Sequence, residues 1–465
     1  MRPPARVRTR YDYTKGSIGW GLARLSLPTF GEQIAWNIDT VVEIFWVGRL
    51  GPDRLAGMAL AFLIIMLMRS IGLGIRIAGS AMVAQRVGGG DNEGAAVFAG
   101  QTFILAMAYY LPVTFVGYMA APGVMSLLTT DLEVVRLGTL YLRAGFTVFA
   151  FIDGIFTMAH VMRAAGEPVY SLSGMIVSTT ISVALMPLLV FGAGPFPGLD
   201  LAGTILSVGL GRMCGVITIT AILASGRSRL RLRGRHLRPR PAVLRRLLGL
   251  AWPAAATNLL ERGASIVLVR MLSVFGVLAL AAWGLGNRIA LLGRMPGFGL
   301  QAAVRTMVGQ SVGAGRPDRA RRSVQLALWI LILIMGVTAT SLFIYANEVV
   351  GFFGLKGEAA SVGALCVRIL VLGLPFETWR RVLAGAFQGG ADTKPPMAVE
   401  AVVRWAVQLP AAYLVSLPLG LGAAGIWGAV AGSQALGAMA LFVWYFRRWG
   451  KRALAARSGL PGGGG

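Results

Sequence analysis

The sequence predicts an all-α membrane protein: twelve transmembrane helices in two parallel six-helix bundles around a central cavity. Three observations carry this expectation. Of 465 residues, 56% are hydrophobic and 14% charged, where a soluble protein carries roughly 25% charged residues. Apolar runs of about 20 residues or more recur along the whole length, enough for a helix to cross the hydrocarbon. The second half of the chain also repeats the first at a fixed offset.

The runs give spans at 22–47, 56–87, 95–119, 134–162, 170–193 and 201–224. A second set follows at 247–274, 279–309, 323–346, 359–387, 397–419 and 423–446. Pro28 in "LSLPTF" matches Pro253 in "LAWPAA", 225 positions on. Gly51 and Gly276, Gln85 and Gln310, and Glu167 and Asp392 keep the same 225. Only the last spans slip, "LAGTIL" meeting "AAGIWG" at 222. Landmarks at one offset mark an internal duplication. Six spans per unit leave both copies in one orientation, as parallel repeats flanking a cleft where a substrate would sit.

Charge orients the bundles. The net charge of +25 is almost all arginine, densest in "GRSRLRLRGRHLRPRPAVLRR". That run joins the two apolar halves without aromatic interleaving or a nucleic-acid motif. It reads as a cytoplasmic loop under the positive-inside rule, able to meet lipid headgroups. The expected organisation is a cytoplasmic tail (1–21), an N-lobe (22–225), a basic linker (226–246), a C-lobe (247–448) and a cytoplasmic tail (449–465). The basic N-terminus with Arg2, Arg6, Arg8 and Arg10 lacks the short apolar region of a cleaved signal. The expected location is the cell (inner) membrane, multi-pass, as a monomer.

Carboxylates in mid-membrane are costly and hence candidates for function. Glu32, Asp39 and Glu43 lie seven and four residues apart, within roughly 40° on one helix face. The alternative is fixed ion pairing with Arg69 or Arg76. At the 225 offset these acids meet Thr257, Ala264 and Leu268, and Glu261 meets Trp36. The scaffold was copied and the acids were not, so they read as lobe-specific chemistry. Glu377 is followed by Arg380 and Arg381 at pairing distance on a helix. Asp153 lies one position from the counterpart of Glu377. Trp36 and Trp283 are candidates for stacking on a substrate, with interfacial anchoring as the alternative.

Enzyme chemistry finds no footing. Cys214 and Cys366 stand apart, so neither a disulfide framework nor metal spacing arises. His160 and His236 form no catalytic pair, and "GLGAAG" at 420–425 has no acid following it. No cofactor and no resident metal are expected, and no nucleic-acid partner.

"LPTFGEQIAWNIDTVVEIFWVGRLGPDRLAGMALA", "VAQRVGGGD", "VMRAAGEP", "VGQSVGAGRPDRARR" and "GGADTKPPM" resemble the multidrug and toxic compound extrusion (MATE) family, in order and in both halves. The resemblance implies export of organic cations or other amphipathic compounds by antiport against H⁺ or Na⁺. It places the family's first-helix aspartate on Asp39. Two acids of its norfloxacin-efflux branch fall on Glu261 and Glu377, with Na⁺ at Asp39 or Glu261 as an implied option. The fifth-helix "NxxxD" of the DNA-damage-inducible branch falls on Ser182 and Met186 and is absent. The rival within transport is a flippase for a lipid-linked sugar or other amphipathic lipid. A strongly cationic cavity would favour it, and Arg143, Arg270, Arg288 and Arg305 within spans keep it open.

Overall fold

Local chemistry sets the helix ends. Ser17 caps α1 (Ile18–Leu50), its hydroxyl accepting from the Trp20 N–H at 3.4 Å. Asp91 caps α3 (Asn92–Leu128), accepting from the Gly94 N–H at 2.7 Å. Prolines open α2 (Pro52–Gly88), α6 (Pro168–Phe191), α8 (Pro241–Ser273) and α10 (Pro317–Ile344), where the missing N–H has no helical partner to lose. Gly51 ends α1 at φ 119° and Gly276 opens α9 (Gly276–Gly313) at φ 88°. The repeat therefore places a positive-φ glycine between the first two helices of each bundle. A computed structural model describes residues 11–193, 196–354 and 356–457. Residues 1–10 and 458–465 of the expected tails lie outside the described residues.

The other elements are α4 (Leu132–Thr147), α5 (Phe149–Ala164), α7 (Asp200–Ala224), α11 (Ala346–Phe352), α12 (Glu358–Gly389), α13 (Lys394–Ala401), α14 (Leu409–Ser416) and α15 (Gly422–Arg457). A two-residue antiparallel hairpin, Gly192–Ala193 with Phe196–Pro197, links α6 to α7. Among the described residues nine helical segments are long and apolar enough to span a membrane. The bent pair α4–α5 makes a tenth, and charged α1 and α8 complete the twelve.

Two spans differ from the sequence expectation. The span expected at 134–162 breaks at Val148 by 49°, where a side-chain carbon on Gly209 of α7 would lie 2.4 Å from the Val148 side chain. The span expected at 397–419 unwinds into a π-helix at Val402–Gln408. A widened turn of this kind displaces side chains from the regular face and is frequent at functional sites. α8 begins at Pro241, inside the expected 226–246 linker.

The bundles interlock. Leu22 and Leu25 of α1 are buried in the core of the second bundle, and Leu247 and Ala251 of α8 in the core of the first. Each bundle's first helix thus crosses over near the face that carries the N-terminal segment and the 226–240 connection (the terminal face). The seal there is symmetric. The Gln85 amide donates to the Gly389 carbonyl at 3.0 Å and the Gln310 amide to the Ala164 carbonyl at 2.9 Å, both donor and acceptor pairs being 225 apart. Gly88 packs against the Gln310 backbone and Gly313 against that of Gln85. Residues 11–17 lie over this seam, held by Arg319 and Arg316 through the Tyr13 and Thr14 carbonyls at 2.9 and 2.8 Å.

Candidate functional site

Every acid picked out in the sequence is inside the helical core, in two separate clusters. In the first bundle, Asp39 is buried and fully engaged. Its carboxylate accepts from Arg212 of α7 at 2.5 Å, from Ser182 at 2.6 Å and from Thr179 at 3.0 Å. Arg212 is itself wholly buried. Glu32, also buried, accepts from Arg163 and Ser171. Asp153 accepts from Arg76 and, at 3.1 Å, from Arg69. The cations named as alternatives for α1 therefore serve α5, while α1 draws its partners from α5 and α7.

Glu43 is the exception. It is buried, accepts from the Tyr141 hydroxyl at 2.7 Å, and takes part in none of the ion pairs among the described residues. Beside it and Asp39 lies a cavity of about 30 Å³, room for a water or a small cation. Trp36 borders this cavity, with the Arg69 guanidinium 4.4 Å and the Arg212 guanidinium 5.4 Å from its ring centre. The protein's own cations occupy its face.

In the second bundle the equivalent region is open. A cavity of about 450 Å³ is lined by Trp283, Phe298, Glu261 and Glu377 and by four arginines, Arg262, Arg294, Arg381 and Arg404. Leu73 of α2 reaches it from the other bundle. Glu377 is held by Arg294 and Arg381, each at 3.0 Å, and not by Arg380, which pairs with Glu400. Glu261 is held by Arg381 at 2.8 Å and Arg404 at 3.5 Å. The π-helix aims Arg404 inward, where it also meets Glu400 at 2.8 Å. Of the arginines raised earlier as span cations, Arg270 and Arg288 are exposed, Arg143 is half-buried, and Arg305 is buried at the seam.

Sequence reasoning missed Arg163, Arg212, Glu400 and Arg404. One signal was available: Arg69 and Arg294 are 225 apart. The pairs Arg69–Asp153 and Arg294–Glu377 join equivalent helices in the two bundles, so both repeats carry this brace. Among the described residues no group of three or more histidine, cysteine or acidic side chains could hold a metal.

The MatE family profile matches residues 28–188 and 253–414, one copy in each repeat, starting at Pro28 and Pro253. The chain belongs to the MATE family. A probable multidrug resistance protein of Bacillus subtilis, YoeA, is 22% identical over 95% of this chain and 96% of its own length. A probable multidrug resistance protein NorM of Pseudomonas putida is 29% identical over 92% and 94%. Solved structures show the same fold. A MOP-superfamily transporter of Pyrococcus furiosus, for which a reverse polarity of the binding pocket is described, superposes with a TM-score of 0.89 at 20% identity over 97% of this chain and all of that one. A MATE transporter in an outward-facing conformation gives 0.86 at 21% identity over 96% and 98%. The chain is therefore a multi-pass membrane transporter of the multidrug efflux class and not an enzyme.

Proposed function

We propose that this MATE transporter exports a small amphipathic compound by antiport with H⁺ or Na⁺, with ion and substrate in different lobes. The inequality of the two cavities supports this reading. The 450 Å³ cavity falls within the range of small-molecule sites, about 300–1,000 Å³. The 30 Å³ cavity beside Glu43 suits only an ion or water.

Glu43 is the carboxylate best suited to load the ion. Protonating Asp39 would strand Arg212 in the core, and an unpaired buried charge is strongly destabilising. Glu43 can be neutralised by H⁺, or can ligate Na⁺, without stranding a partner. Asp39 then holds the adjoining cation in place. The ion must bind the two conformations unequally to drive the cycle. By the positive-inside rule the terminal face, with its Arg-rich connection, lies in the cytoplasm. The seam closed by Gln85 and Gln310 is then the inner gate, and the cleft faces outward.

The test uses everted vesicles loaded by ΔpH and ΔNa⁺ imposed separately, with one cationic and one anionic fluorescent amphiphile. The gradient that couples should stimulate uptake in the parent and not in Glu43→Gln at equal protein level. Full stimulation in Glu43→Gln would remove Glu43 from the coupling step.

A further inference from the structure

We propose that the C-lobe cavity is an anion site, and that the compound carried is an amphiphile with a phosphate or carboxylate headgroup rather than an organic cation. This deepens the proposed function, because it rests on that cavity being the substrate site.

The charge balance carries the inference. The connected polar groups of the cavity are Glu261, Glu377 and Glu400 against Arg262, Arg294, Arg380, Arg381 and Arg404, an excess of two positive charges. Protonating any of these acids would only enlarge the excess. Both carboxylates that line the cavity are already engaged by two guanidinium groups each. An entering cation would have to displace arginine from a buried pair to reach either one.

An anion meets the opposite situation. Arg262 projects from the middle of α8, is exposed to the cleft, and donates through Nε to the Ser70 hydroxyl of α2 at 2.7 Å. It forms no ion pair with a carboxylate among the described residues. Its terminal nitrogens are free to make the two-pronged contact that guanidinium forms with phosphate or carboxylate. Trp283, Phe298, Leu268 and Leu374 supply apolar wall for the remainder of the molecule. A strongly hydrated inorganic anion would leave that wall uncovered, so the fit is to a headgroup joined to an apolar body. The Arg262–Ser70 contact also ties the lobes across the cleft, and a headgroup that claims Arg262 loosens that tie.

Two soluble probes share an apolar body and differ in charge: 2-naphthyl phosphate and 2-naphthylmethylammonium. Their binding to the purified full-length transporter in phosphatidylcholine nanodiscs is read by naphthyl fluorescence anisotropy, with no gradient present. The phosphate should bind at least about tenfold more tightly than the ammonium compound. Arg262→Gln should weaken the phosphate about tenfold, the factor carried by one charge-assisted hydrogen bond. Arg262→Lys should retain part of the affinity, since it keeps the charge and loses the fork. Lysophosphatidate as competitor separates the sources. Displacement at lower concentration than soluble naphthyl phosphate assigns the anion to the lipid leaflet, and the reverse assigns it to the aqueous phase. Equal or tighter binding of the ammonium probe overturns the proposal, as does an Arg262→Gln variant with unchanged phosphate affinity. Should that variant fail to fold, the parent's preference between the two probes still decides. Because binding is read at equilibrium, its failure leaves the coupling role of Glu43 untouched, and a failure of coupling leaves the charge preference intact.

Discussion

Asp39→Asn and Glu43→Gln change two acids one helical turn apart on α1, and the structure predicts very different costs. Arg212 is wholly buried, and its remaining hydrogen bonds are to the Ser178 hydroxyl at 3.0 Å and the Met175 sulfur at 3.1 Å. Neither carries charge. Ser182 and Thr179 donate to different oxygens of the carboxylate, so asparagine at position 39 keeps an acceptor for only one of them, and it leaves the buried guanidinium without its ion-pair partner. Breaking a buried ion pair from one side costs about 3–5 kcal/mol. Glutamine at position 43 keeps an acceptor for the Tyr141 hydroxyl and strands no cation, so its cost is under about 1.5 kcal/mol, the scale of one hydrogen bond. The assay is equilibrium unfolding of the detergent-purified variants, followed by tryptophan fluorescence and size exclusion. Adding Arg212→Met to Asp39→Asn should recover most of the loss, because a packed apolar side chain replaces the stranded charge. Equal stability of Asp39→Asn and Glu43→Gln, or no recovery in the double variant, would refute the reasoning and return Asp39 to candidacy as the ion-loading acid.

The terminal-face seal gives a symmetric pair of effects. Gln85→Ala and Gln310→Ala each remove one cross-lobe hydrogen bond, about 1 kcal/mol or fivefold in the open-to-closed ratio, read by labelling of a cysteine placed at Ala164. Gly88→Val and Gly313→Val should prevent closure altogether, since a side-chain carbon there would lie 2.0 and 1.8 Å from the Gln310 and Gln85 carbonyl oxygens. The labelled cysteine would then stay reactive with both gradients imposed. Glu377→Gln should lower expression and stability more than ion dependence, because Arg294 and Arg381 lose a shared carboxylate; a well-expressed variant that loses only ion dependence would contradict the bracing role. A cysteine at exposed Ser225, in a background lacking Cys214 and Cys366, should react with an impermeant reagent only after cells are permeabilised, and labelling of intact cells would invert the orientation.

The fold was legible in the sequence because hydrophobic length and a constant offset are properties of the chain taken in order. Gly51 and Gly276, or Gln85 and Gln310, need no knowledge of neighbours to be matched. The pairing of the acids was not legible. Spacing along α1 shows that Glu32, Asp39 and Glu43 share a face, but says nothing of which helix that face meets. The partners come from α5 and α7, more than a hundred positions away. The crossing-over of α1 and α8 between the bundles was hidden for the same reason. The π-helix that turns Arg404 inward leaves no periodic signature, since its seven residues read as a continuation of α13 and α14.

The offset also separates scaffold from function once coordinates are joined to it. Contacts that recur in both repeats close the terminal face or brace the bundles: Gln85 with Gln310, Gly88 with Gly313, Arg69 with Arg294. At the 222 offset of the last spans, Arg212 of the first bundle is replaced by Gln434 in the second. Arg212 extends across the centre of its bundle to reach Asp39, and the cavity left beside it is about 30 Å³. Gln434 is shorter and neutral, lines the other cavity, and accepts from Arg380 at 3.2 Å. The space there is about 450 Å³. This exchange is one of the differences between repeats that distinguish the cavity of about 30 Å³ from that of about 450 Å³. With the two sites apart, ion and substrate would not compete for one carboxylate under the proposed function. In the proposed cycle each instead biases the same closure of the lobes, through Glu43 on one side and the Arg262–Ser70 contact on the other.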